Sequence, residues 1–297
     1  MRPFSPGLDA ILAAWGPDSQ IAMADLYTFM LAGGEAIRIS GAQTALTTGL
    51  FASGSVNYGA TRQFALGPRL ARTSTKIELG VQVGELDLEI YTGPGDRVGT
   101  LTWQQAVRMG LFDGATVELD RAFMQPFGTV LGTTMLFYGR TGEISVGRSR
   151  IDAKIVDLKD LLKIQMPRRL YQSACNHVFG DAMCGFDRTS LAASFACAPD
   201  SSQSEILMPS APTPATLYDQ GTIIGVSGQN AGFSRTIGGL VGSAIFVMKA
   251  FLYPVAAGDE FRALPGCDHT MATCQGTFNN LARFGGFPYI PPPETAV

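Results

Sequence analysis

The chain is poor in charge. Of its 297 residues only 16% are Asp, Glu, Lys or Arg, against 46% apolar, and the net charge is -3. This balance excludes a disordered or strongly solvated chain, and it offers no basic stripe for general nucleic-acid binding. Lysine is scarcest: the 22 basic residues comprise 17 Arg and 5 Lys. Arginine is enriched and lysine depleted where protein surfaces meet, so the ratio suits a surface covered by partners as well as it suits GC-rich codons. Only two histidines occur, His177 and His269, which leaves little room for a Ser–His–Asp triad. There is no G-x-S-x-G elbow, no G-x-x-x-x-G-K-[ST] loop and no G-x-G-x-x-G on a strand-to-helix turn. No segment reaches the ~20 apolar residues of a membrane helix, and the best run, 244–257, is cut by Lys249 and Pro254. Pro3, Pro6 and Asp9 stand where a signal peptide needs an apolar core. Synthesis in the cytosol, where thiols stay reduced, is therefore expected.

What is present reads as mainly β. "MADLYTFMLAGGEAIRI" (23–39) predicts two strands joined at Gly33 and Gly34. In 76–91, Leu86, Leu88 and Ile90 alternate with Glu85, Asp87 and Glu89, which sets aliphatics on one face and acids on a solvated one. The pattern returns in "TVELDRAF", where Glu118 and Asp120 alternate with Val117 and Leu119. Between these segments, Thr102 and Gln105 have capping-box spacing, and Trp103 and Val107 share a helical face. "EISVGRSRIDAKIV" (143–156) reads as one further strand, and "DLKDLLKI" as a helical turn ending before Pro167. The expected organisation is a β domain with a short helix at 1–165 and a second β domain at 166–297. The second contains a Ser/Pro-rich loop at 188–220 and an extended Pro-rich tail at 288–297.

Five cysteines, an odd number, suit a closed disulfide framework badly. Four fall in two pairs: Cys175 and Cys184 in "CNHVFGDAMCGFD", and Cys267 and Cys274 in "GCDHTMATC". Thiolates from distant segments can converge on zinc, copper(I) or an iron–sulfur cluster. The spacings exceed the tight knuckles of structural zinc, yet spacing alone leaves a metal, a cluster, unligated thiols and disulfides all open. His177 and His269 each follow a paired cysteine by two residues, as alternative ligands or as donors to ligand sulfurs. Gly180, Gly185 and Gly266 flank the cysteines where the backbone must turn tightly. Arg168 and Arg169, with Asp181 and Asp268, are candidates for local ion pairs.

The C-terminal motifs occur in a fixed order: Pro-Arg-x-x-Tyr-x-x-x-Cys from Pro167, Gly-Asp-x-x-Cys-Gly from Gly180, Gly-Cys-Asp with a later Cys from Gly266, and Asn-x-x-x-Phe-x-Gly-x-Pro from Asn280. Together they resemble a family of tail-tip hub proteins of long-tailed bacteriophages and gene transfer agents, related to the minor tail protein L of phage lambda. The resemblance extends over nearly the whole chain. It implies two tube-like β hub domains and a non-enzymatic virion protein, assembled in the host cytoplasm and sited at the tail tip. It further implies an iron–sulfur cluster, [4Fe–4S], on Cys175, Cys184, Cys267 and Cys274, with Cys197 unligated and zinc as the alternative occupant. The implied partners are two further copies in a homotrimeric ring, the tail-tube or distal tail protein, and the tip or central fibre proteins. Direct nucleic-acid recognition and a membrane span are not expected. The competing readings are an iron–sulfur electron-transfer protein, which would need a flavin or docking signature, and a zinc-stabilised binding module. A Cys175–His177 cysteine peptidase is a more distant one.

Overall fold

A computed structural model of the chain describes residues 8, 13, 16, 21–49, 61–73, 83–163, 166, 169–212, 214 and 216–290. It is mainly β and divides into two compact units, Met1–Ile164 and Gln165–Val297.

In the first unit the strands are β1 (Ala22–Met30), β2 (Ala36–Ser40), β3 (Leu46–Thr48), β4 (Arg62–Phe64), β5 (Arg69–Arg72), β6 (Glu85–Tyr91), β7 (Arg97–Val98), β8 (Leu101–Thr102), β9 (Thr116–Met124), β10 (Val130–Val146) and β11 (Arg150–Asp157). Seven of them form an antiparallel sheet ordered β2-β1-β9-β10-β11-β6-β5. The hairpin expected at Gly33 and Gly34 is the β1–β2 pair, and Gly34 has φ +85°, a value that favours glycine. Along β6 the aliphatics Leu86, Leu88 and Ile90 are buried, while Glu85 and Asp87 are exposed. One side of the sheet packs Tyr27, Phe29, Leu88, Val117, Leu119 and Ile155 against helix α1 (Trp103–Arg108). A six-residue helix is marginal alone. This one is held by its capping box at Thr102 and Gln105, and by Trp103, which stacks on Phe112 at 5.2 Å.

Two expectations need correction here. The segment 143–156 is not one strand: β10 ends at Val146, and Gly147 donates to the Arg150 carbonyl at 2.8 Å, so 147–149 turn the chain into β11. Glu118 and Asp120 are not on a solvated face. They are 5% and 2% exposed, because β3 and β4 form a hairpin whose Leu46 and Phe64 pack with Leu26, Ala122 and Met124 over that side of β9. Arg62 of this hairpin supplies the counter-charge, 3.1 Å from Glu118 and 3.8 Å from Asp120. A charge is tolerated in an interior only when paired in this way.

The second unit has β12 (Ala193–Ala196), β13 (Glu205–Leu207), β14 (Thr222–Gly225), β15 (Ser234–Val241), β16 (Ala244–Val247) and β17 (Glu260–Leu264), in an antiparallel sheet ordered β12-β17-β14-β15-β16-β13. Ile206, Ile223, Ile237, Ile245, Phe251 and Phe261 are buried in it. The expected loop at 188–220 is therefore only partly a loop, since β12 and β13 lie inside it as the two edge strands. Of the Pro-rich tail, residues 288–290 form a turn instead of an extended arm, with Ile290 N–H donating to Phe287 O at 3.1 Å. Residues 291–297 lie outside the described residues.

Candidate metal centre

The second unit carries two irregular segments beside its sheet, and the paired cysteines sit on them. Cys184 ends a turn built around Asp181. The Asp181 carboxylate accepts from the main-chain N–H of Cys184 at 2.6 Å, Met183 at 2.9 Å and Val178 at 3.2 Å. These donors, Cys184 foremost, hold the Asp181 carboxyl below its ordinary range. Gly180 and Gly185 bracket the turn at φ +85° and +64°, values that favour glycine. Cys267 follows β17 through Pro265 and Gly266. A Cβ on Gly266 would collide with the Asp219 carbonyl, so the close approach requires glycine. Cys274 lies on helix α2 (Met271–Gly276), whose N-cap Thr270 accepts from Thr273 N–H at 3.3 Å. Burial opposes ionisation of Asp268, but the donors of Thr270 and Thr273 outweigh it and keep that carboxyl below its ordinary range. Cys175 is pinned to the other segment directly: its N–H donates to His269 O at 2.9 Å.

These placements bring all four paired thiols to one small cavity of about 20 Å³, walled also by His177, His269 and Phe278. Three sulfurs have N–H donors: Gly285 N to Cys175 at 3.3 Å, His269 N to Cys267 at 3.4 Å, and Asn280 Nδ2 to Cys184 at 3.6 Å. Burial pushes the Cys267 thiol up against the His269 N–H, and the charges of Asp268, Cys175 and Cys184 add to the rise. Burial also raises Cys274, followed by the three facing cysteines. On one side Phe179, Phe186 and Phe278 pack together with centroids 4.7–5.5 Å apart. Arg188 lies over Phe179 at 5.5 Å and donates to the Pro265 carbonyl at 3.0 Å, tying the two segments together.

Cys175, Cys184, Cys267 and Cys274 line the cavity, and all five cysteines are free thiols. Cys197 is held elsewhere, its Sγ donating to Ala256 O at 3.1 Å. His177 Nδ1 lies 3.1 Å from Arg283 O; a carbonyl can only accept, so that nitrogen bears the proton. His269 contributes its main chain, in a left-handed conformation at φ +61°. Among the described residues Asp181 and Asp268 make no ion pair, and their carboxylates take the hydrogen bonds given above. Arg169 donates to Met183 Sδ at 4.0 Å, and Arg168 lies outside the described residues. Among the described residues, no three His, Cys, Asp or Glu side chains are gathered tightly enough to hold one metal ion. Sequence reasoning missed the sulfur donors. Two of them are main-chain groups with no residue signature, whereas Asn280 opens the last of the motifs and was visible there.

Residues 5–187 match the family described as baseplate hub protein, N-terminal attachment domain, and residues 216–294 match the one described as phage conserved hypothetical protein BR0599. No curated protein matches significantly. Among solved structures, a chain of the virion of a native gene transfer agent particle is similar with a TM-score of 0.72 and 21% identity, over 97% of this chain and 94% of the other. That likeness concerns the fold.

Proposed function

The chain belongs to the family of phage baseplate hub proteins with the N-terminal attachment domain, and from that premise we propose a structural hub of the tail tip whose second unit is closed by an iron–sulfur cluster. Its place is the virion tail. In this reading three copies form a ring that receives the tail tube or distal tail protein on one side and the tip or central fibre proteins on the other. The kinship with minor tail protein L of phage lambda belongs to the same reading. Scarce charge, the excess of arginine over lysine, and exposed apolar side chains such as Leu162, Met166 and Met248 suit a chain covered by neighbours in a particle.

One observation carries the cluster assignment. Four thiols from two segments line one cavity, and three of their sulfurs have N–H donors; such an all-thiolate set with N–H groups at its sulfurs suits an iron–sulfur cluster. When bound, it supplies iron–thiolate bonds that clip 175–184 to 267–274. The chain's own residues shape the site beforehand: Asp181 sets the Cys184 turn, Asp268 and Thr270 set the start of α2, and the phenylalanine trio shields one wall.

Anaerobic purification of the full chain, with iron, sulfide and zinc analysis and a visible spectrum, tests the assignment. About four iron and four sulfide per chain are expected; equimolar zinc without a visible band rejects it. Localisation in purified particles tests the hub role, which fails if particles assemble and infect normally without this chain.

A further inference from the structure

Asn280 makes contacts that its local position does not explain. It stands at the N-cap of the short 3-10 turn Leu281–Arg283, where an Asn side chain ordinarily accepts from its own turn, but it makes no such bond. Its Nδ2 instead donates to the carbonyl of Cys184 at 2.8 Å and lies 3.6 Å from Cys184 Sγ, 96 residues away in sequence. A carbonyl can only accept, so the amino end of the side chain must face Cys184. The main chain of the same residue holds the other segment. Asn280 N–H donates to Cys274 O at 2.9 Å, and Asn280 O accepts from Cys274 Sγ at 3.4 Å. When Cys274 becomes a thiolate ligand it no longer donates. The carbonyl then keeps its second donor, Arg283 N–H at 3.0 Å, so Asn280 is satisfied with the thiol protonated or ligated.

We propose that Asn280 is a positioning residue that grips Cys184 by its side chain and Cys274 by its main chain, and that its amide N–H at the Cys184 sulfur raises the reduction potential of the group held there. The inference rests on the iron–sulfur reading. A donor aimed at a ligand sulfur stabilises negative charge, and reduction adds negative charge, so the donor favours the reduced form. Of the three N–H groups at the sulfurs, those of Gly285 and His269 are main-chain and survive substitution; only that of Asn280 comes from a side chain.

The test compares anaerobically prepared full-length wild type, Asn280→Ala and Asn280→Asp. Iron and sulfide content are measured first. The midpoint potential is then found by dithionite titration with mediators, and the metal-free chains are melted. Asn280→Ala should keep its iron and titrate at a more negative potential. Asn280→Asp, equal in size but presenting an acceptor to both the sulfur and the carbonyl, should shift further or lose most of its iron. Loss of iron in both variants, with metal-free melting as in wild type, also supports the clasp. An unchanged midpoint in a loaded variant overturns the proposal, as does iron loss that accompanies collapsed metal-free melting, since a purely structural residue would give either. A wild-type chain without iron and sulfide refutes the iron–sulfur reading itself, a failure distinct from that of a loaded wild type beside an unshifted variant.

Discussion

Glu118 and Asp120 are buried on β9 and share one guanidinium: Arg62 lies 3.1 Å from the first and 3.8 Å from the second. Two carboxylates against one cation would leave a negative charge uncompensated in the interior. Burial, and after it the charge of Glu118, pushes Asp120 up from 3.8 to about 8, with Arg62 pulling the other way. A value raised that far keeps the Asp120 carboxyl protonated at neutral pH. The sign follows from linkage. An acid with a raised folded pKa binds its proton more tightly in the folded chain, so its contribution is complete below pH 3.8 and is lost as pH rises through about 8. Between those limits one retained proton costs about 1.4 kcal/mol of stability per pH unit, or about 4 kcal/mol from pH 5 to pH 8.

Asp120→Asn keeps the shape and removes the titration. Urea unfolding of the full chain at intervals from pH 5 to pH 8, followed by tryptophan fluorescence, reads the effect, because Trp103 is buried in the core of the same unit. Wild type should lose stability toward pH 8 while the variant loses much less, and their difference isolates the buried acid. Parallel profiles for the two proteins would refute the reasoning.

This acid pair also shows what a sequence can carry. The same alternation over Glu85–Tyr91 and in "TVELDRAF" predicts one acidic solvated face in each; the first is exposed and the second is covered. Period two reports which residues share a face, but not what folds onto it, and here the cover is a hairpin more than fifty residues earlier in the chain. The turn between β10 and β11 was hidden by the aliphatics on both sides, although Gly147 marked it. β12 and β13, of four and three residues, are too short for periodicity to stand out against Ser/Pro-rich composition. At the candidate site the convergence of the four cysteines on one cavity was legible because side chains define a motif. The main-chain donors of Gly285 and His269 were not, because any residue brings an N–H.

Thr102→Ala should remove the capping box of α1 and cost about 1 kcal/mol, measured by urea unfolding at Trp103; an unchanged midpoint would count against the cap. Gly266→Ala forces a Cβ onto backbone atoms of Asp219 and Gly221 that cannot swing aside, so a loss of about 1–3 kcal/mol is expected. A variant that melts and binds iron like wild type would show that the Cys267 segment yields more than its contacts suggest. The last prediction bears on why a cluster would be used at all. Cys184 and Cys267 are separated by 267 − 184 = 83 positions, and closing a loop of that length costs about 4 kcal/mol of chain entropy. A bound cluster removes that freedom from the unfolded chain as well, so Cys184→Ser should lower the unfolding free energy of the loaded protein by a comparable amount. The metal-free forms should differ far less, since no clip is present in either. If loaded and stripped wild type unfold at the same denaturant concentration, the site does not act as a clasp, and its four thiols need another explanation.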